Sequence, residues 1–85
     1  MKRLVVDDGT NVFEQLIGER LTLFCMNYIY TGKLIGVNKT WVLLTEASIV
    51  YETGELCDNT WQDAQRLPHD WRVNCAAVES FGVLK

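Results

Sequence analysis

From Arg20 to Tyr51 apolar side chains recur with a period of two, and that run decides which folds are open to this chain. Leu21, Leu23 and Cys25 alternate with Thr22, Phe24 and Met26, and both sets are largely apolar, the mark of a strand covered on both faces. Residues 27–32 lead into a second strand over 32–37, Asn38 and Lys39 form a tight turn, and a third strand runs over 41–51. A strand of that length in a small sheet bends strongly, so the meander is expected to curl into a small barrel. Two further β runs, 71–76 and 77–81, complete five strands, with a kink at the small residues between them.

The flanking segments differ in kind. Asn11 stands three residues before Glu14, which is capping-box spacing, and Val12, Phe13, Leu16 and Ile17 share a helical face that Gly18 terminates. This predicts an N-terminal helix of two turns or less. So short a helix is not stable alone, and its apolar side is expected to lie over the open end of the sheet. Residues 1–9 form an arm, with a β-type run at 4–6 closed by Asp7, Asp8 and Gly9. Residues 52–70 read as an enlarged acidic loop between the third and fourth strands. From Glu46 to Asp70 six acids stand against the single base Arg66, a local charge of −5. Within the loop, Asn59 or Thr60 is placed to cap one helical turn through Trp61 and Ala64 before Pro68 closes it.

With 85 residues the chain is expected to form one domain, 1–85, and a monomer of this size buries only about 60% of its unfolded surface. Association is therefore expected. The last β runs, WRVNCAAVESF, carry only Arg72 and Glu79 as charges and have neither proline nor lysine. They lack the devices that stop an edge strand from pairing with a neighbour. Strand addition between identical copies, closing head to tail into a ring, follows from this, with Arg72, Val73, Cys75, Val78 and Phe81 at the interface.

Several classes of function are disfavoured. Nothing approaches the 18 apolar residues of a membrane span, and the start turns acidic too soon for a signal peptide, so a soluble, cytoplasmic protein without membrane contact is expected. Cys25, Cys57 and Cys75 are widely spaced, with His69 as the only other soft ligand, a pattern that argues against a metal site. Cys25 and Cys75 sit in apolar surroundings and read as core residues of a reducing compartment. P-loop, GxGxxG, GxSxG and HExxH motifs are absent, and His69 follows Pro68 in a turn with no nucleophile in a recognisable relation to it. No catalytic residue, no cofactor and no enzymatic activity are expected.

The order of a short helix and five bent strands, together with YTGKLIGVNKTWVLLTEA, resembles the Sm-like family of small ring-forming barrels. Gly32, Leu34, Val37, Asn38, Trp41 and Leu43 fall in register with the family's first signature, Asn38 in place of its acid and Trp41 in place of its methionine. FEQLIGERLTLFC resembles the family's opening helix, glycine and first strand, and the similarity extends over about 13–81. The resemblance implies a homomeric or heteromeric ring of five to eight subunits that binds single-stranded, often uridine-rich RNA, and for this chain a ring of five to seven identical copies is expected. Bases stack on flat side chains, amides read their edges, and basic groups neutralise phosphate.

The family's stacking position falls on Thr40, its base-reading asparagine on Val42 and its second-signature arginine on Ala76, so all three are changed. A shift of one residue brings Trp41 into the stacking role and Asn74 into the polar one, and the candidate RNA-binding set is Asn38, Lys39, Thr40, Trp41 and Asn74. A net charge of −3 and a pI near 4.9 oppose unspecific attraction to phosphate. Lys2, Arg3, Arg20, Lys33 and Lys39, all in the first 40 residues, are either a basic face or dispersed solvated charges. Tyr28, Tyr30, Trp41, Tyr51, Trp61 and Trp71 are either stacking platforms or packing residues. Trp61, in the polar loop, is either an anchor for a protein partner or a lid over the barrel. Two readings result: a ring that binds RNA through a non-standard pocket, and a scaffold ring that binds a protein through its acidic loop without RNA.

Overall fold

The computed structural model describes residues 12–85; the arm expected over 1–9 and the cap expected at Asn11 lie outside the described residues. The chain is mainly β and antiparallel. Its strands are β1 (Arg20–Cys25), β2 (Ile29–Val37), β3 (Trp41–Glu52), β4 (Asp63–Arg66), β5 (Trp71–Asn74) and β6 (Val78–Gly82). They form one sheet in the order β4-β3-β2-β1-β6, with β5 added to β3. The twelve residues of β3 are long enough to hold β5 along Trp41–Leu44 and β4 along Ser48–Glu52, both on one edge.

Three expectations change. The sheet has six strands, because Asp63–Arg66 inside the acidic stretch pairs with β3 instead of forming a helical turn after Asn59 or Thr60. The sheet is not closed: among the described residues β6 pairs with β1 alone, and β4 and β5 with β3 alone. In place of the expected α-helix stands a 3-10 helix, Val12–Leu16, whose Phe13 is buried and whose following Gly18 takes φ +97° as the left-handed stop. The kink expected between the last two strands is present, as a second 3-10 turn, Cys75–Ala77.

The bend of the sheet has a specific origin. Between the pairs Thr31–Ser48 and Lys33–Thr45 the register slips by one residue, an extra residue on β3 that constitutes a β-bulge. Glu46 takes it up with φ +49°, and Ala47 re-enters the core three residues after Leu44, where an unbroken strand would need two or four. The bulge brings β3 so close to Gly32 that a Cβ there would lie 3.0 Å from Leu44 Cβ and 3.1 Å from both Ala47 Cα and the Thr45 carbonyl oxygen. Around this crossing lies the core of Phe13, Leu21, Leu23, Leu34, Val42, Leu44, Ala47 and Val73. None of the helices among the described residues is long and apolar enough to cross a membrane.

Thr22 and Thr31 oppose each other across β1 and β2, both fully buried, and neither hydroxyl has a hydrogen-bond partner. A buried hydroxyl without a partner costs about 1–3 kcal/mol, whereas an apolar group of the same shape does not. Thr22→Val is therefore expected to stabilise the fold by about 1 kcal/mol, read as a higher urea midpoint at unchanged slope. A lowered midpoint would show that the Thr22 hydroxyl is not a net cost at this site.

Candidate functional site

The turn after β2 and the β3–β5 ladder bring the expected nucleic-acid residues to one edge. Asn38 closes the turn: its Oδ1 accepts hydrogen bonds from the main-chain N–H of Thr40 at 2.7 Å and of Trp41 at 2.9 Å. Its own N–H donates to the Trp41 carbonyl at 3.0 Å. An asparagine bonded in this way fixes the turn and leaves Lys39 and Thr40 exposed. Trp41 then faces Asn74 in the ladder, and Cys75 N–H donates to the Thr40 carbonyl at 2.9 Å. Asn74 caps the Cys75–Ala77 turn, its Oδ1 accepting from Ala76 N–H at 2.9 Å. These bonds use the carboxamide oxygens of both asparagines and none of their amide N–H donors.

Alternation along the ladder sorts the rest. Val42 and Leu44 enter the core, so Trp41 and Leu43 take the outer face, and with them Arg72 and Asn74, their cross-strand partners. The Arg72 guanidinium carbon lies 5.9 Å from the centroid of the Trp41 ring, at the outer limit of a cation–π contact. Trp41 is 38% exposed. The edge thus presents an indole surface, a guanidinium, an ammonium on the turn and two amide donors. Val42 is fully buried and cannot meet a ligand at this face, while Thr40 and Ala76 are exposed without offering a ring or a charge. Of the basic residues, Lys2 and Arg3 lie outside the described residues. Arg20 and Lys33 oppose each other across β1 and β2, and a Glu46 carboxylate oxygen lies 3.6 Å from the Arg20 guanidinium.

The residues assigned to association are distributed differently from one another. Arg72 is exposed, whereas Val73 belongs to the core, and Cys75 and Val78 pack against it. Phe81 leans on Phe13, with ring centroids 4.5 Å apart. Outward, β5 exposes Trp71, Arg72 and Asn74, and β6 exposes Glu79, Ser80 and Phe81. The Cys25 thiol is pushed up from its ordinary pKa by burial and secondarily by Glu79, which keeps it protonated and unreactive at neutral pH. Cys57 is exposed in the acidic loop, and His69 is exposed as expected. Tyr28 and Tyr51 are exposed; Tyr30 packs against the core, and burial, then the neighbouring Cys25, Tyr28 and Tyr51, raises its phenol pKa.

Trp61, expected as a partner anchor or a lid, stands beside Lys85. It is half-buried, does not join the core, and its ring lies 4.5 Å from the ammonium of Lys85. That ammonium donates to the carbonyls of Thr53 at 3.0 Å, Glu55 at 2.9 Å and Thr60 at 2.8 Å. Sequence reasoning passed over Lys85, since main-chain carbonyls carry no trace of residue type. Among the described residues no group of three or more histidine, cysteine or acidic side chains is arranged to hold a metal ion.

Comparison of the chain with protein-family models, with curated proteins and with solved structures finds no match.

Proposed function

We propose that this chain is a divergent Sm-like protomer that assembles head to tail into a ring of five to seven copies and binds single-stranded RNA along the outer face of the β3–β5 ladder. The observation that carries the RNA reading is the Trp41–Asn74 register, which sets an exposed indole beside Arg72, the two asparagine amides and Lys39. A base stacks on the indole, amide donors meet its edge, and the two cations flank its phosphates; such stacking contributes about 1–3 kcal/mol per base. Assembly is supported by the edges that β5 and β6 leave unpaired among the described residues, separated in the chain by a single 3-10 turn. The bend at Gly32 and Glu46 supports the small-barrel reading of the sheet.

Labelled oligo-U and oligo-A, titrated at low and moderate salt, test the proposal. Micromolar, salt-sensitive binding is expected, weakened about tenfold or more by Trp41→Ala. Lys39→Ala is expected to lower the salt slope by about 0.7, the value for one phosphate contact on a single strand. No binding at low salt would remove the RNA role and leave the scaffold reading, which the exposed, acidic surface of the loop and β4 favours. A monomeric mass at micromolar concentration in native mass measurement would remove the ring.

A further inference from the structure

Lys85 lies three residues beyond β6, at one end of the sheet, while the carbonyls it meets belong to the segment that leads from β3 into β4, at the other. No ladder joins those ends among the described residues, so this side chain spans them. A primary ammonium has three N–H donors, and each finds one carbonyl at 2.8–3.0 Å. The Trp61 ring, 4.5 Å from the nitrogen, adds the attraction of its π-face. The surrounding stretch, with its local charge of −5, favours a cation. Beside the ammonium opens a cleft of about 460 Å³ lined by Arg20, Thr60, Trp61, Gln62, Asp63 and Lys85 among others, so that of the three carbonyl-bearing residues Thr60 borders it together with the indole.

We propose that the segment 53–61 is a receptor for a primary ammonium of the lysine side-chain type, and that Lys85 is its resident ligand. The selectivity follows from the donor count. A quaternary ammonium has no N–H to give and leaves all three carbonyls unpaired, and an acylated lysine offers one donor and no charge. While Lys85 is in place its tether gives it a millimolar effective concentration, so an external ligand competes poorly. Once Lys85 is removed or acylated, the receptor accepts a lysine from another chain, and Trp61 becomes available to it. This inference is independent of RNA binding.

The test is nuclear magnetic resonance on the whole chain. In the unsubstituted protein the Lys85 ammonium is expected to give a slowly exchanging nitrogen–proton signal, absent for the exposed Lys33 and Lys39. In Lys85→Ala, n-butylammonium should shift the Trp61 indole signal saturably in the millimolar range, whereas tetramethylammonium at equal ionic strength should not. The unsubstituted chain should need about twice as much n-butylammonium or more for the same shift, the factor that a millimolar effective concentration gives against a millimolar affinity. Equal shifts from the two cations, or none from either while the β1–β3 signals persist, would overturn the receptor. If Lys85→Ala does not fold, Lys85→Met keeps the aliphatic stem and serves in its place. A Lys85 ammonium that exchanges as fast as Lys33 and Lys39 would overturn the proposal on the unsubstituted chain alone. A slow signal that disappears on dilution would overturn the intramolecular assignment, since the cage would then be filled by a second copy.

Discussion

Gly32→Ala is expected to lower the stability of the fold by about 2 kcal/mol, at the middle of the range for overpacking a close-packed site. The added methyl would stand 3.0 Å from Leu44 Cβ and 3.1 Å from two main-chain atoms of β3, and none of these is the mobile end of a side chain. Relief requires the backbone of the bulge to move, and with it the entry of Ala47 into the core. The figure of about 2 kcal/mol is what remains after the reduced freedom of the unfolded chain has offset about 0.4–1 kcal/mol of the overpacking. For a domain of this size the net loss corresponds to a fall of about 8–16 °C in the unfolding midpoint. Gly32→Val should cost more. A thermal midpoint unchanged in Gly32→Ala would show that the bulge yields freely and that the bend does not depend on this contact.

Leu44→Ala is expected to cost about 3 kcal/mol, within the range for emptying a fully buried leucine site. Leu44 has no exposed surface and, like Val42 and Leu43, pairs with both β2 and β5, in a row with Leu34 on one side and Trp71 on the other. A cavity there loosens two ladders at once. Urea unfolding measures the loss, and the near-ultraviolet dichroism of the indoles should change with it, since Trp71 lies across the gap. If Trp71 settles into the space the cost will fall toward about 2 kcal/mol. A loss below about 1 kcal/mol would mean that the sheet is not packed around this row.

The parts of this fold that are legible in the sequence are those whose side chains record burial. Leu21, Leu23, Leu34, Val42 and Leu44 announce β1 to β3 because each is buried and each recurs at strand spacing. Asn38 announces its turn because its side chain makes it. β2 nevertheless starts at Ile29, before Gly32, because the turn at 26–28 closes through Cys25 N–H to the Tyr28 carbonyl and frees the following residues to pair. β4 could not be read: Asp63, Ala64, Gln65 and Arg66 are all exposed, and the strand exists only through main-chain bonds to β3. The helix signal at Asn59 and Thr60 is outweighed by that open edge, a tertiary partner that local spacing cannot anticipate. Of the candidate site, the sequence carries the residue types of the Trp41 edge, while its pairing with Asn74 is a fact of register. The Lys85 contacts span 25–32 positions of chain and recognise carbonyls, so no residue pattern points to them.

The tandem placement of β5 and β4 on β3 has a consequence for how the molecule can change. Neither short strand takes a hydrogen bond from the other, so the half of the spine that carries Trp41 and Asn74 is insulated from the half that carries the acidic segment. The latter is held by its ladder to β3, by Leu67 N–H on the Ala47 carbonyl and by Lys85, so that its exposed side chains can be replaced while the opposite half keeps its alignment. A lineage could thus exchange one recognition surface without disturbing the other.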